Sequence, residues 1–327
     1  MPKVSVIVPN YNHARFLEQR LQSVIDQTFE DFELVFLDDA STDESRQVFE
    51  RFSHDPRVRA VFNPTNSGSV FKQWNRGFAE AAGDYIWIAE SDDYSDERFL
   101  ETLVRALDTH PSAGIAYCQS WAVNENGCKM KIMELQRAQI DEHRWKSDFF
   151  NNGRDECARY FVQSCMINNA SSALVRRSVV QKIGGADENW RIAGDWVFWA
   201  KMLMESDIVF VAQPLNYWRC HSATVRSSAT RSGEMLEESY RVAKMIADLA
   251  DVPPDILERS RALWFLRWVR YNEQCRFSLN QHRAIYEAAR RFDPHIKRRI
   301  ALYLPIAPLR IAAKAVRAAV RRNDARG

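Results

Sequence analysis

The stretch Gly83–Leu100, GDYIWIAESDDYSDERFL, decides how the rest of the chain is read. An unbroken apolar run, Tyr85-Ile86-Trp87-Ile88-Ala89, stops abruptly at Glu90-Ser91-Asp92-Asp93. A short continuous apolar run bounded by polar residues fits a strand buried on both faces. The carboxylates at its end then have two readings. One is a solvated loop whose acids cap a helix. The other is a seat for a hard divalent cation, which takes carboxylate oxygens together with water and phosphate. Asp96 fits the first reading, at the start of the helix that follows.

Upstream of this stretch the same pattern repeats. Val4 to Val8 is a β-branched run that breaks at Pro9-Asn10-Tyr11-Asn12, after which Leu17, Leu21, Val24 and Ile25 recur at helical spacing. Leu34 to Leu37 is a second strand, ending in DDASTD from Asp38 to Asp43, and Val48, Phe49 and Phe52 mark a helix. Val58 to Phe62 is a third strand, followed by a loop from Asn63 to Gly68 and a helix carrying Phe71, Trp74, Phe78 and Ala82. The order β-α-β-α-β-α-β predicts an α/β fold with a mainly parallel sheet flanked by helices. Ligands of such sheets bind beyond the carboxyl ends of the strands. PNYN, DDASTD and ESDD all fall there, and that convergence weighs more than any one motif. Ser41 or Thr42 fits an N-cap. One carboxylate of the Asp38-Asp39 pair fits an acceptor for a base or ribose. Neither G-x-G-x-x-G nor a P-loop follows the first strand, which argues against a nicotinamide enzyme or a nucleoside triphosphatase.

Bulk properties narrow the class further. The 327 residues are 46% hydrophobic and 27% charged, with a net charge of +2, so nothing calls for a nucleic-acid partner. Six scattered cysteines without a C-x-x-C pair fit a reducing cytoplasm better than a zinc site or disulfide framework. No stretch approaches the roughly 18–20 apolar residues of a membrane span. Downstream, Ala113 to Val123 and Ser171 to Val175 read as strands, and Ile208 to Val211 and Leu215 to Trp218 as two short ones. Met133 to Asn152 shows no period and reads as a variable loop region; beyond Arg231 the chain reads as helical.

VSVIVPNYNHARFLEQRLQSVIDQTFEDFELVFLDDASTD, followed by NSGSVFKQWNRGFAEAAGDYIWIAESDD, resembles the nucleotide-binding half of family 2 glycosyltransferases, with motifs in the same order from about Lys3 to Thr224. The resemblance implies a GT-A (Rossmann-like) fold and inverting transfer of a sugar from a nucleotide diphosphate sugar, UDP-type favoured, to an acceptor hydroxyl. It implies nucleotide contacts at Pro9 and Tyr11, the base held by Asp39, and metal and ribose held by the D-x-D element. Mn2+ or Mg2+ then falls to Asp92 and Asp93, with Glu90 and Ser91 toward the nucleotide. Two positions depart from the family pattern. Glu90 stands where Asp is usual, and Trp74 stands where many relatives carry arginine before the asparagine. Lys72, Gln73 and Asn75 are nucleotide contacts or helix-packing residues.

GGADENWRIAGDWVFWAKML resembles the family's acceptor-side element, and its Asp195 matches the expected general base. Gly194 stands where the family often has Glu. An Asp at a helix N-terminus, held by the dipole, is the plainer alternative. Asp187 and Trp196 are candidates for acceptor contacts. LNYWRCHSATVRSS resembles the segment that approaches diphosphate or metal, which places Arg219 and His221 there. The chain divides into a catalytic domain over 1–225 and a helical region over 226–327 with a basic amphipathic tail, in which Asp324 is the only acid after Lys297. Such a tail suits an anionic membrane surface, hence a peripheral position on the inner face of the cytoplasmic membrane. The apolar helices before it suit packing on the domain or a homodimer contact. The acceptor is then a glycan or lipid-linked, in surface polysaccharide or glycolipid assembly. Rival readings are an inactive sugar-nucleotide-binding scaffold and a sugar nucleotidyltransferase, although PNYN lacks the glycine-rich loop of the latter.

Overall fold

The computed structural model describes residues 1–133, 138–220 and 230–303. His221 and the basic tail beyond residue 303 lie outside them. Ten strands form one sheet in the order β3-β2-β1-β4-β9-β6-β10-β5, with β7 on β6 and β8 on β10. Its first half is parallel: β1 (Val4–Asn10) pairs with β2 (Phe32–Asp38) and β4 (Tyr85–Ile88), and β2 with β3 (Val58–Phe62). The strand signals upstream of Glu90 all become strands of this half. The alternation hidden inside their continuous apolar runs separates two cores. Val4, Val6 and Val8, with Leu34, Phe36 and Trp87, pack on one face of the sheet. Ile7, Val35, Leu37, Ile86 and Ile88 pack on the other. Period-2 side chains on a sheet buried from both sides must split in this way.

The second half is mixed. β9 (Ala173–Arg176) runs antiparallel to β4 and to β6 (Ala113–Val123). β6 pairs in parallel with β10 (Asp207–Arg219), which also carries antiparallel β8 (Phe149–Asn151) and β5 (Tyr94–Ser95). The two short strands expected between residues 208 and 218 are therefore one strand. Its register shifts around Pro214, which cannot donate to the ladder and sits at a bulge. β7 (Lys129–Ile132) closes the edge on β6. Within the expected loop region from 133 to 152, Trp145 is buried and donates its Nε1 hydrogen to Tyr117 Oη at 2.8 Å.

Helices α1 (Ala14–Ile25), α2 (Ser45–Glu50), α3 (Val70–Glu80) and α4 (Phe99–Thr109) connect the first strands. α5 (Gly153–Glu156), α6 (Arg177–Ile183) and α7 (Gly194–Glu205) follow, and α8 (Glu234–Leu249), α9 (Pro254–Cys275), α10 (Leu279–Phe292) and α11 (Ile296–Tyr303) form the helical region. These last helices share the core of the sheet. Leu236, Tyr240, Trp264, Trp268 and Phe292 belong to the same apolar cluster as Ile7 and Ile88. Among the described residues no helix is long and apolar enough to cross a membrane.

Candidate active site

The carboxyl ends of β1, β2 and β4 open onto one cleft of about 570 Å³, bounded on its far side by the start of α7. Pro9, Tyr11, Asp39, Glu90, Ser91, Asp92, Asp93 and Asp195 all line it. Three of these segments meet because parallel strands end on one rim, and the fourth, carrying Asp195, is brought opposite by α7.

Asp39, just past β2, is buried, and its carboxylate organises the base of the cleft. Its Oδ1 accepts from Asn63 Nδ2 at 2.8 Å, Ser67 N at 2.9 Å and Gln73 Nε2 at 2.8 Å. Its Oδ2 accepts from Ser67 Oγ at 2.8 Å. Asp38 serves the turn instead, accepting from Asn10 Nδ2 and from Ser41 N, each at 3.0 Å. Ser41 and Thr42 do not cap α2. Ser41 Oγ accepts from Asn10 Nδ2 at 3.1 Å and Asn12 N at 3.0 Å, tying the ends of β1 and β2 together. Asp43 takes the capping role, accepting from Ser45 N at 3.0 Å and from Ala14 N at 2.9 Å. The rim also holds two non-glycine residues in the left-handed region, Asn12 at φ 56° and Ala40 at φ 60°.

At the end of β4 the three carboxylates differ. Glu90 Oε1 accepts from Trp74 Nε1 at 2.9 Å, so the two departures from the family pattern touch each other. Burial, and then the charge of Asp92, push the Glu90 carboxyl up to about 8. Asp93 is held by protein on all sides. It accepts from Ser171 Oγ at 2.7 Å, Arg219 N at 2.9 Å and Asn169 Nδ2. Burial, and then Asp92, push it up to about 6. Beneath them lies Arg20, fully buried, donating from Nε to the Glu90 carbonyl at 2.8 Å. Among the described residues its Nη1 and Nη2 have no hydrogen-bond partner. Burial pulls its pKa down to about 10 against the pull of Asp93, Asp92 and Glu90.

Among the described residues no three His, Cys, Asp or Glu side chains gather as a complete metal cage. Mg2+ and Mn2+ do not need one, because one or two carboxylates suffice when water and phosphate supply the rest. Asp92 beside Glu90 is such a partial set, and the carboxyls are raised first by burial and then by the charge of Asp92, a repulsion that a cation would offset. The residues present fit a divalent ion completed by substrate. Asp93 accepts from Ser171 and Asn169 at Oδ2 and from Arg219 N at Oδ1, which holds the loop in shape and leaves acceptor capacity on Oδ1.

Asp195 stands in the first turn of α7, where its Oδ1 accepts from Trp196 N at 2.7 Å. A Cβ on the preceding Gly194 would run into the Phe71 ring, so glycine here lets α3 and α7 approach.

Several expected contacts lie elsewhere. Arg219 was expected at diphosphate. Its guanidinium donates to the carbonyls of Asp92 at 2.7 Å and Glu125 at 2.7 Å and to Gln19 Oε1 at 2.6 Å, tying two loops to α1. Asn75 faces the acceptor-side turn, donating to the Ala186 carbonyl at 2.9 Å and accepting from Ala186 N at 2.8 Å. Lys72 is exposed, with Nζ 3.3 Å from the Ser67 carbonyl, outside the cleft wall. Asp187 accepts from Asn189 N at 3.1 Å and closes its own turn. Trp196 is buried and stacks on Trp264 at 5.6 Å, because position 196 points into the core rather than toward the cleft. Residues the motifs did not single out also line the cleft. His13, whose Nδ1 lies 2.9 Å from Ser91 Oγ, is one; Asn168, Asn169 and Trp218 are others.

Comparison with known proteins follows the same lines. The model of glycosyl transferase family 2 matches residues 5–184. An uncharacterized glycosyltransferase of Nostoc is 28% identical over 231 residues, 69% of this chain and 67% of that protein. The poly(ribitol-phosphate) beta-N-acetylglucosaminyltransferase TarS of Staphylococcus aureus is 34% identical over 114 residues, 34% of this chain but 20% of its own length. The structure of TarS 1–349 in complex with UDP-GlcNAc superposes with a TM-score of 0.66 at 20% identity, over 89% of this chain and 80% of that one. The mannosyltransferase PcManGT of Pyrobaculum calidifontis, in complex with GDP-Man and Mn2+, gives 0.59 at 19% identity, over 95% and 81%. The fold is that of these GT-A enzymes.

Proposed function

The chain belongs to glycosyl transferase family 2, and from that membership we propose that it is an inverting glycosyltransferase moving a sugar from a nucleoside diphosphate sugar to an acceptor hydroxyl. The observation that carries this reading is that Asp195 and the three strand-end motifs line one cleft. In the proposed mechanism the Asp195 carboxylate takes the proton of the acceptor hydroxyl as its oxygen bonds to the anomeric carbon. The bond from that carbon to the diphosphate oxygen breaks, and the electron pair leaves with the diphosphate. Attack from the opposite face inverts the configuration. Asp92 and Glu90 would hold Mn2+ or Mg2+, which when bound offsets charge on the leaving diphosphate. Asp93, clamped by Ser171 and Arg219, keeps that loop in place.

A uridine nucleotide fits the Asp39 end best. Oδ1 already accepts three hydrogens, which leaves acceptor capacity on Oδ2 alone. Uracil presents one N–H between two carbonyls, whereas guanine presents two donors side by side. The likeness to TarS bound to UDP-GlcNAc supports the same choice. The acceptor is a glycan or lipid-linked hydroxyl in surface polysaccharide or glycolipid assembly, in line with the name of TarS.

The test is titration calorimetry of UDP and GDP with and without Mn2+, followed by transfer assays. UDP is expected to bind more tightly than GDP, and more tightly with Mn2+. Failure of every nucleotide to bind would sink the enzyme reading, and equal binding without metal would remove the ion from it.

A further inference from the structure

Asp195 sits on a turn that makes no side-chain cap of its own: Ala193 precedes α7 without a capping hydrogen bond. The turn is held from outside. Glu238, buried on α8, directs its carboxylate at three successive backbone N–H groups. Its Oε1 accepts from Arg191 N at 3.1 Å, and its Oε2 accepts from Ile192 N at 2.9 Å and Ala193 N at 2.7 Å. One turn earlier on the same helix, Glu234 receives Arg191 Nη1 at 3.1 and 3.0 Å. Consecutive N–H groups that converge form an anion-binding concavity, and here the anion is supplied by the chain itself. Arg191, Ile192 and Asp195 all line the cleft, so the anchored turn is also its wall.

We propose that Glu238 is a positioning residue for acceptor-side catalysis, fixing the 191–193 turn so that Asp195 is held in reach of the acceptor hydroxyl. This rests on the reading of Asp195 as the base. Displacing a reacting group by about 1 Å costs on the order of 10²-fold in rate, so an anchor of this kind acts on turnover rather than on binding. The carboxylate is needed rather than an amide, because its two oxygens only accept. A glutamine would put N–H donors against at least one of the three backbone donors.

The experiment compares Glu238→Gln and Glu238→Asp with the wild-type full chain. UDP binding stoichiometry counts folded sites, and kcat per site and KM for the donor are measured on the same samples. Glu238→Gln is expected to lower kcat per site by at least about 10-fold, part of the contribution of a general base. Stoichiometry and donor KM are expected to hold within about twofold of wild type. Glu238→Asp, which keeps an acceptor-only group, is expected to recover part of the loss. Wild-type kcat in both variants overturns the proposal, as does a loss of activity that tracks lost UDP sites. Asp195→Asn separates the two readings. If it keeps full transfer, the base assignment falls. If it is inactive while Glu238→Gln keeps wild-type kcat, only the positioning role falls. In the double variant Glu238→Gln is expected to add little, because both changes act on one step.

Discussion

The two rims of the cleft are built differently. At the ends of β1 and β2 the polar residues are held by the segments that follow the neighbouring strands: Asp39 by Asn63, Ser67 and Gln73 after β3, Ser41 by Asn10 and Asn12 at the end of β1. At the α7 rim the support comes from afar. Phe71 of α3 packs on Gly194, and Glu238 of α8 anchors residues 191–193. The first rim is a local consequence of parallel strands. The second takes one of its two supports from the C-terminal helices, which on the proposed reading of Glu238 ties the helical region to the chemistry.

The largest expected effects divide these rims. Asp195→Asn is expected to cost about 10²–10⁴-fold in kcat while leaving UDP affinity within about threefold, since a general base contributes in that range. Asp39→Asn is expected to do the reverse. It replaces an acceptor of four hydrogen bonds by a group with two donors, and hydrogen bonds to charged groups contribute about 1.5–3 kcal/mol each. UDP affinity should fall by at least about 10-fold, with kcat at saturation much less affected. Calorimetry and steady-state kinetics on the same preparations check both. A comparable loss of UDP binding in Asp195→Asn would erase the division between the rims.

The difference also explains what could be read from the chain alone. The strands and their polar ends were legible because apolar runs and their breaks are local signals. The sharing of Asp39 by a loop and a helix was not, yet it follows from the same rim. Arg20 left a trace: it lies on the apolar face of α1 between Leu17 and Leu21, and a charge there requires a partner or a role. Glu238 left none, because an acid on an amphipathic helix reads as solvated until the packed turn is seen. Arg219 stands at the strand end where the motif put it, but its partners there, the Asp92 and Glu125 carbonyls and Gln19, were not legible, since nothing in a motif names the groups a guanidinium bonds. Pro214 made one bulged strand look like two.

Gly194→Ala tests the α7 rim at smaller scale. The added methyl must displace the Phe71 ring, which is buried and makes edge contact with Trp74 at 5.3 Å. Overpacking of this kind costs about 1–3 kcal/mol. Because the same ring lines the cleft beside Asp195, kcat should fall together with Tm. The paired variant Gly194→Ala with Phe71→Leu is expected to recover part of both, and a neutral Gly194→Ala would show that α3 and α7 are not in tight contact there.

The smallest effect belongs to the strand-end rim. Ala40 adopts φ 60°, a conformation costing an L-residue roughly 1–2 kcal/mol. Asn12, at φ 56°, is a residue type enriched in that region, and its Oδ1 accepts from Thr42 N at 2.8 Å, so its side chain helps hold the turn. Ala40 has no such side chain. Ala40→Gly should therefore remove strain, offset by about 0.5–1 kcal/mol of extra backbone entropy lost on folding. The net expectation is a gain below about 1 kcal/mol, a rise in Tm of at most about 2–4 °C for a chain of this size. UDP affinity should stay close to wild type, because the hydrogen bonds from Asn63, Ser67 and Gln73 hold Asp39 whatever the residue beside it. A destabilised Ala40→Gly would mean that the alanine methyl packs on something the rim needs. The strand-end rim would then depend on side-chain packing as much as the α7 rim does.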